Sequence, residues 1–178
     1  MLMGALAMMT SCLGSTNVED EYKEWREAND RWYTEQALLT DPATGMKYYK
    51  QVTAVWDPAA TVLIHWFNDT TLNRGNLRPL YSSTVDVKYR GMTKDATPFD
   101  SSYLRTTPAD SVLRCQLNNG VIEGWALALT HMRVGDSCRV VIPYALGYGA
   151  YKRSNVVLPY TALVFDMKLV DIYGYETK

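Results

Sequence analysis

The side chains that could attack or polarise another molecule are not gathered into reactive sets in this chain. Ser101 and Ser102 follow Asp100, but neither serine has an identifiable base, so a nucleophilic relay is not indicated. Histidine occurs only at His65 and His131, and Cys12, Cys115 and Cys138 are widely separated. Neither set has zinc or iron–sulfur spacing, and no metal site is expected. Gly147-Tyr148-Gly149 lacks the third glycine and the strand–turn–helix setting of a dinucleotide fingerprint, so no cofactor is expected from it. Taken singly, the other conspicuous residues have structural explanations. Trp125 at a helix start reads as core, Tyr148 between glycines as a loop aromatic, and Asp100 before two serines as a turn cap.

The elements that would position these residues follow from periodicity. Residues 46–55, 60–67, 83–90, 111–117, 137–142 and 161–170 are β-rich or alternating, with Gly, Pro, Asn and Asp clusters between them. Val85, Val87 and Tyr89 alternate with Asp86, Lys88 and Arg90, which predicts one buried and one wet face. One short helix interrupts the strands. It begins near Ile122-Glu123-Gly124-Trp125 and runs through His131, with Ile122, Trp125, Ala126, Leu129 and Met132 as its apolar stripe. Four to six antiparallel strands wrapped on one short helix make an α+β domain.

Ahead of the strands, residues 18–40 read as a helix and its exit. Tyr22, Trp25, Asn29, Trp32 and Gln36 recur at helical spacing with Tyr33 beside them, while Glu21, Glu24, Glu27 and Asp30 solvate the rest. The stripe must dock, either on the chain's own C-terminal part or on a second subunit. Asp41-Pro42-Ala43-Thr44-Gly45 ends the helix as a turn. Earlier still, the apolar run from Met1 to Met9 and Thr10-Ser11-Cys12 read as the end of a signal peptide, although no positively charged region precedes the run. Small residues before the cysteine resemble a bacterial lipoprotein processing site. On that reading residues 1–11 are a signal-peptide remnant, Cys12 is lipidated, residues 12–44 form a tether and helix, and 45–175 the active domain.

The 178 residues are 47% hydrophobic, enough for one domain with a core plus an extra segment. A formal net charge of −1 with 21% charged residues is not the footprint of a nucleic-acid binder.

The residue strings reach further than the periodicity. Val85-Asp86-Val87-Lys88-Tyr89-Arg90-Gly91, Phe99-Asp100-Ser101-Ser102, Val121-Ile122-Glu123-Gly124-Trp125, Met132-Arg133-Val134-Gly135-Asp136, Gly147-Tyr148-Gly149 and Leu163-Val164-Phe165-Asp166 stand in order over roughly eighty residues. Together they resemble the ordered motifs of FKBP-type peptidyl-prolyl cis-trans isomerases, and the cysteine and helical region resemble lipoprotein members. The resemblance covers about Gly45 to Ile172. It implies an FKBP-like twisted antiparallel sheet on one helix and an aromatic cavity between them. The cavity wall would comprise Tyr89, Phe99, Asp100, Arg105, Val121, Ile122, Trp125, Tyr148, Val156 and Phe165.

In that scheme Trp125 is the floor, Tyr89, Phe99 and Phe165 hold the proline ring, and the Ile122 amide and Tyr148 hydroxyl bond substrate carbonyls. Asp100 sits at the rim, fixed by Tyr89 or Arg105, while Arg105, Val121 and Val156 bind substrate. The partners implied are proline-containing polypeptides, with no cofactor and no nucleic acid. Secreted members often carry helical dimerisation segments, so a homodimer through the N-terminal helix is one implication; a lipid-anchored place in the bacterial cell envelope, periplasmic or at the outer membrane, is another. Two departures stand out. The aromatic residue that closes one side of the cavity has no counterpart, its position falling to Ala109, Val112 or Cys115, and the proline pair after the Tyr148 loop is reduced to Leu158-Pro159. Both departures bear on macrolide affinity and on the preference for a large residue before proline, and the loss of the closing aromatic supports, as the alternative, a catalytically weak chaperone or peptide-binding module.

Overall fold

The structure is a computed structural model and describes residues 17–55 and 57–174; Cys12 and residues 1–11 lie outside it. The helical stripe forms α1 (Val18–Glu21) and α2 (Lys23–Leu38). The turn after them closes as its residues suggest. The Asp41 carboxylate accepts from the Ala43 amide at 2.8 Å, Asp41 O accepts from the Gly45 amide, and Gly45 takes the positive φ of 69° that favours glycine.

Seven strands follow. They are β1 (Lys50–Ala54), β2 (Asp57–Trp66), β3 (Thr84–Thr93), β4 (Pro98–Ser101), β5 (Leu113–Gln116), β6 (Ser137–Ile142) and β7 (Leu163–Ile172), with α3 (Glu123–Leu129) between β5 and β6. The pairings are antiparallel in the order β1-β2-β6-β7-β3-β4, with β5 also on β3. The sheet thus exceeds the expected four to six strands. The addition is β4, which is only four residues long, opens on a proline and has no alternation of its own to read. It exists because it pairs with the far half of β3, placing Asp100 opposite Gly91.

Alternation along the central strands divides the core in two. Val62, Ile64, Val140, Ile142, Leu163, Phe165, Met167 and Leu169 face α3, whereas Leu63, Val141 and Val164 face the other way, toward Trp32, Tyr33 and Ala37 of α2. The aromatic stripe of α2 therefore docks on the chain's own sheet.

Two details differ from the sequence expectation. Asp86 is not on a wet face but 9% exposed, because Arg114 of β5 clasps its carboxylate through Nε at 2.7 Å and Nη2 at 2.8 Å. The central helix also ends at Leu129 rather than His131 and is buried from Gly124 to Leu129 on nearly all sides. Leu77 and Val134 pack onto the same core and help cover it where a stripe alone would have left a wet face.

Candidate active site: an aromatic pocket at the start of the central helix

The position of Trp125 is set by a glycine. A Cβ on Gly124 would stand 2.3 Å from Ile142 Cγ2, so only glycine lets the first turn of α3 lie directly on β6. That contact presses the Trp125 indole into the sheet, where it is 4% exposed. It meets Tyr89 edge-to-face at 4.7 Å between centroids and Phe165 at 5.1 Å. Phe99 stands edge-on to Phe165 at 5.6 Å. A second glycine makes room for that pair, since a Cβ on Gly91 would lie 2.8 Å from Phe165 and 2.9 Å from Phe99.

Above the indole is an open pocket of about 270 Å³. Tyr89, Asp100, Arg105, Val121, Ile122, Trp125, Tyr148 and Phe165 all line it, so most of the expected wall comes together from five separate segments. Phe99 is half-buried and touches Phe165 edge-on but is not among the residues lining the pocket, and neither is Val156. Two further residues line it, Leu113 and Gly120. Leu113 stands opposite Val87 in the β3–β5 register, on the side where the closing aromatic was sought. Of the positions proposed for that role, Ala109 is exposed and Val112 and Cys115 are buried away from the pocket. The alternation Leu113, Cys115, Leu117 on one face of β5 is the signal that would have found it.

The polar groups are few and held. Tyr89 donates its hydroxyl to Asp100 Oδ2 at 2.6 Å, and the Ser101 amide donates to Asp100 Oδ1 at 2.8 Å. Ser102, fully buried, accepts from the Tyr89 amide at 2.9 Å and so fixes β3 against the loop that follows β4. Burial raises the Tyr89 phenol well above its ordinary range, Asp100 raises it further, and the facing Arg105 guanidinium pulls back in part. Burial also raises Tyr148, opposed by Arg153, whose guanidinium lies 4.7 Å from its ring centroid. Ile122 is the N-cap of α3, with an extended ψ of 151°, so its amide is among those a helix start leaves without an intrahelical acceptor. The Trp125 Nε1–H is buried and has no acceptor among the described residues.

Nothing in this constellation supplies a nucleophile paired with a base. Cys115 and Cys138 are separate, buried thiols, with burial pushing Cys115 up to about 11 and Cys138 higher still. Among the described residues no cluster of histidine, cysteine or carboxylate could hold a metal ion.

Comparison with known proteins identifies this arrangement. The family model described as FKBP-type peptidyl-prolyl cis-trans isomerase matches residues 76–170. The chain belongs to that family. It is 40% identical over 98 residues to a macrophage infectivity potentiator of Trypanosoma cruzi, covering 55% of this chain and 47% of that protein. It is 39% identical over 94 residues to the FKBP-type 22 kDa peptidyl-prolyl cis-trans isomerase of Escherichia coli K12, covering 53% and 43% respectively. The chain thus spans about half the length of the curated relatives it matches. Among solved structures, a peptidyl-prolyl cis-trans isomerase from Pseudomonas syringae superposes with a TM-score of 0.64 at 26% identity, covering 85% of this chain and 95% of that one. FkpA from Escherichia coli gives 0.64 at 25% identity, covering 86% and 63%. FKBP membership accounts for the order of the motifs and for the α+β fold.

Proposed function

We propose that this FKBP-family chain catalyses rotation about Xaa-Pro bonds in polypeptide clients without forming a covalent bond to them. The observation that carries the reading is the pocket floored by Trp125 and walled by Tyr89 and Phe165, with Asp100 and Tyr148 at its edge. Isomerisation must break amide conjugation against a barrier of about 20 kcal/mol. A twisted amide has lost its resonance dipole, so an apolar aromatic cavity penalises the planar ground state more than the transition state. Oriented groups then hold the flanking peptide while the bond turns: the Ile122 amide and Tyr148 hydroxyl as donors, and Asp100 held by Tyr89. A hundredfold gain needs roughly 2.7 kcal/mol, which desolvation and one or two hydrogen bonds supply. Phe99 acts in this scheme by backing Phe165, while Arg105, Val121 and Val156 bear on the flanking peptide.

The test is a protease-coupled assay on a peptide with leucine before proline. Acceleration proportional to the concentration of folded protein supports the reading, and its absence at micromolar protein overturns it. A second reading, a weak catalyst that holds unfolded clients, is favoured by Leu113 in place of an aromatic and by the exposed Tyr103, Leu104 and Tyr151, the first two in the loop after β4 and the last in the Tyr148 loop. Suppression of client aggregation without peptide turnover would select it.

The active domain is proposed to begin near Gly45, and the chain to work in the cell envelope as a lipoprotein anchored at Cys12. No helix among the described residues is long and apolar enough to cross a membrane. Because α2 spends its aromatic face on its own sheet, a homodimer through this helix would have to use its opposite, charged face. Mass spectrometry of the mature N-terminus tests the anchor; an unmodified cysteine behind a retained Met1 would rule it out.

A further inference from the structure

The end of α3 away from the aromatic pocket borders a second concavity, of about 480 Å³. Lys50, Arg74, Arg78 and Arg133 line it together with Trp66, and the one carboxylate on its wall is Asp136. That carboxylate is 2% exposed and already engaged: Asn73 Nδ2 donates to Oδ1 at 2.8 Å, Asn68 Nδ2 at 3.2 Å, and the Arg133 amide to Oδ2 at 2.8 Å. Asp69 takes its hydrogen bonds from Thr71 and is also drawn down by the Arg74 charge, so one of the four cations has a second carboxylate within reach. Among the described residues none of the four cations is in a salt bridge. Even with Asp69 beside Arg74, four cationic side chains against two carboxylates that are already hydrogen-bonded leave the region net positive, a charge that an anion would offset.

Arg133 and the backbone that carries Arg74 and Arg78 are fixed in advance, while Lys50, Arg74 and Arg78 reach in from the surface as exposed side chains. Arg133 Nη1 donates to Asn76 O at 2.7 Å, Asn76 Nδ2 donates to Val134 O at 2.8 Å, and the Val134 amide donates to Leu77 O at 2.9 Å. The arginine-bearing segment 70–78 is thereby laced to the turn that follows α3. At Gly135, φ is +95° and a Cβ would be 3.2 Å from the Asn73 amide, so the turn needs glycine for this lacing. Guanidinium groups match phosphate oxygens through paired donors. The space falls within the range of about 300–1,000 Å³ typical of small organic ligands, more than a bare oxyanion fills, and Trp66 adds an aromatic wall.

We propose that this concavity is a binding site for an organic phosphate, with the phosphate among Arg74, Arg78, Arg133 and Lys50 and the attached group against Trp66. The site shares no lining residue with the aromatic pocket, so it stands or falls independently of the isomerase reading.

The test is an NMR titration of the ¹⁵N-labelled full chain with phenyl phosphate and with inorganic phosphate at fixed ionic strength. Sedimentation with phosphatidylcholine vesicles, with and without phosphatidic acid, runs beside it. Phenyl phosphate should give saturable shifts at the Trp66 indole N–H and at Arg133, at lower concentration than inorganic phosphate. The double variant Arg74→Ser/Arg78→Ser changes two exposed side chains. It should weaken binding tenfold or more and leave prolyl isomerisation at the wild-type rate. Binding to phosphatidic acid vesicles that the double variant loses identifies a lipid headgroup as the source; binding of phenyl phosphate alone identifies a soluble one. Shifts that follow ionic strength only, no saturable binding in either arm, or undiminished binding by the double variant would overturn the proposal.

Discussion

The two faces of the sheet are covered by helices that hold on by different means. On one face α3, seven residues long, is buried from Gly124 to Leu129 in an almost wholly apolar core. On the other α2, sixteen residues long, has a single buried residue, and that residue is the polar Asn29. Both polar atoms of Asn29 are engaged: Nδ2 donates to Trp25 O at 2.8 Å and Oδ1 accepts from the Ala162 amide at 2.9 Å. Trp25 Nε1 donates to Thr161 Oγ1 at 3.1 Å, Tyr33 donates to Thr61 O at 2.7 Å, and Arg26 lies 5.6 Å from the Tyr160 ring centroid. The apolar face thus supplies the energy of the fold, and the hydrogen-bonded face supplies register. Because Tyr160, Thr161 and Ala162 end the loop that carries Tyr148, α2 also buttresses the pocket from behind.

Breaking the apolar face should cost most. Leu129→Ala removes a side chain with no exposure and should lower stability by about 2–5 kcal/mol, measured by urea unfolding. Gly124→Ala comes next. Its methyl group must displace Ile142, for about 1–3 kcal/mol, and the same displacement should move Trp125 and reduce turnover beyond what the loss of folded protein explains. An unperturbed melting temperature for this variant would contradict the role assigned to the glycine.

The hydrogen-bonded face should give a different signature. Asn29→Ala leaves the Ala162 amide buried without an acceptor, for about 1–3 kcal/mol. With α2 still attached through Trp32 and Tyr33, the loss should be concentrated in hydrogen-exchange protection around 160–163. Equal loss of protection across β1 to β7 would show that the two faces do not act separately.

The smallest effect is one of pH. Burial raises the Tyr33 phenol from its ordinary value to about 12. The folded state therefore favours the protonated form, and the contribution of this group is whole below about pH 10 and lost as pH rises through about 12. Tyr33→Phe should cost about 0.5–1.5 kcal/mol at pH 8, and that gap should narrow toward pH 12. A gap independent of pH would mean that burial does not raise the phenol in the folded chain, and no gap at all that the hydroxyl contributes nothing to docking.

What was legible in the sequence follows the same division. The strands facing α3 and the motif residues Tyr89, Trp125, Tyr148 and Phe165 could be found because alternation and motif order are local signals. The strand β4 could not, since four residues beginning with proline carry no period and form a strand only by pairing with β3. Asp86 looked wet because its cover, Arg114, comes from another strand. Leu113 carries no aromatic signal, although the β5 alternation puts it on the same face as Cys115. The α2 stripe is legible as a docking face; its target on the sheet is not, because Leu63, Val141 and Val164 belong to three separate strands.

The central claim is that the aromatic pocket itself carries prolyl isomerisation and that its polar edge contributes less. The most direct measurement is kcat/KM on a peptide with leucine before proline for wild type, Phe99→Ala and Tyr148→Phe, each first shown to be folded. Phe99 is half-buried, so its removal should cost less than the about 3–5 kcal/mol of a fully buried phenylalanine and leave protein that can be assayed. Phe165 is still held by Trp125 and Tyr89, but without its edge-on support it should shift within the pocket wall and turnover should fall by more than about tenfold. Tyr148→Phe keeps the ring and deletes one hydroxyl, so its rate should fall only about threefold to tenfold. A folded Phe99→Ala protein that keeps its kcat/KM while Tyr148→Phe falls to background would contradict the account, since the polar edge would then carry the reaction.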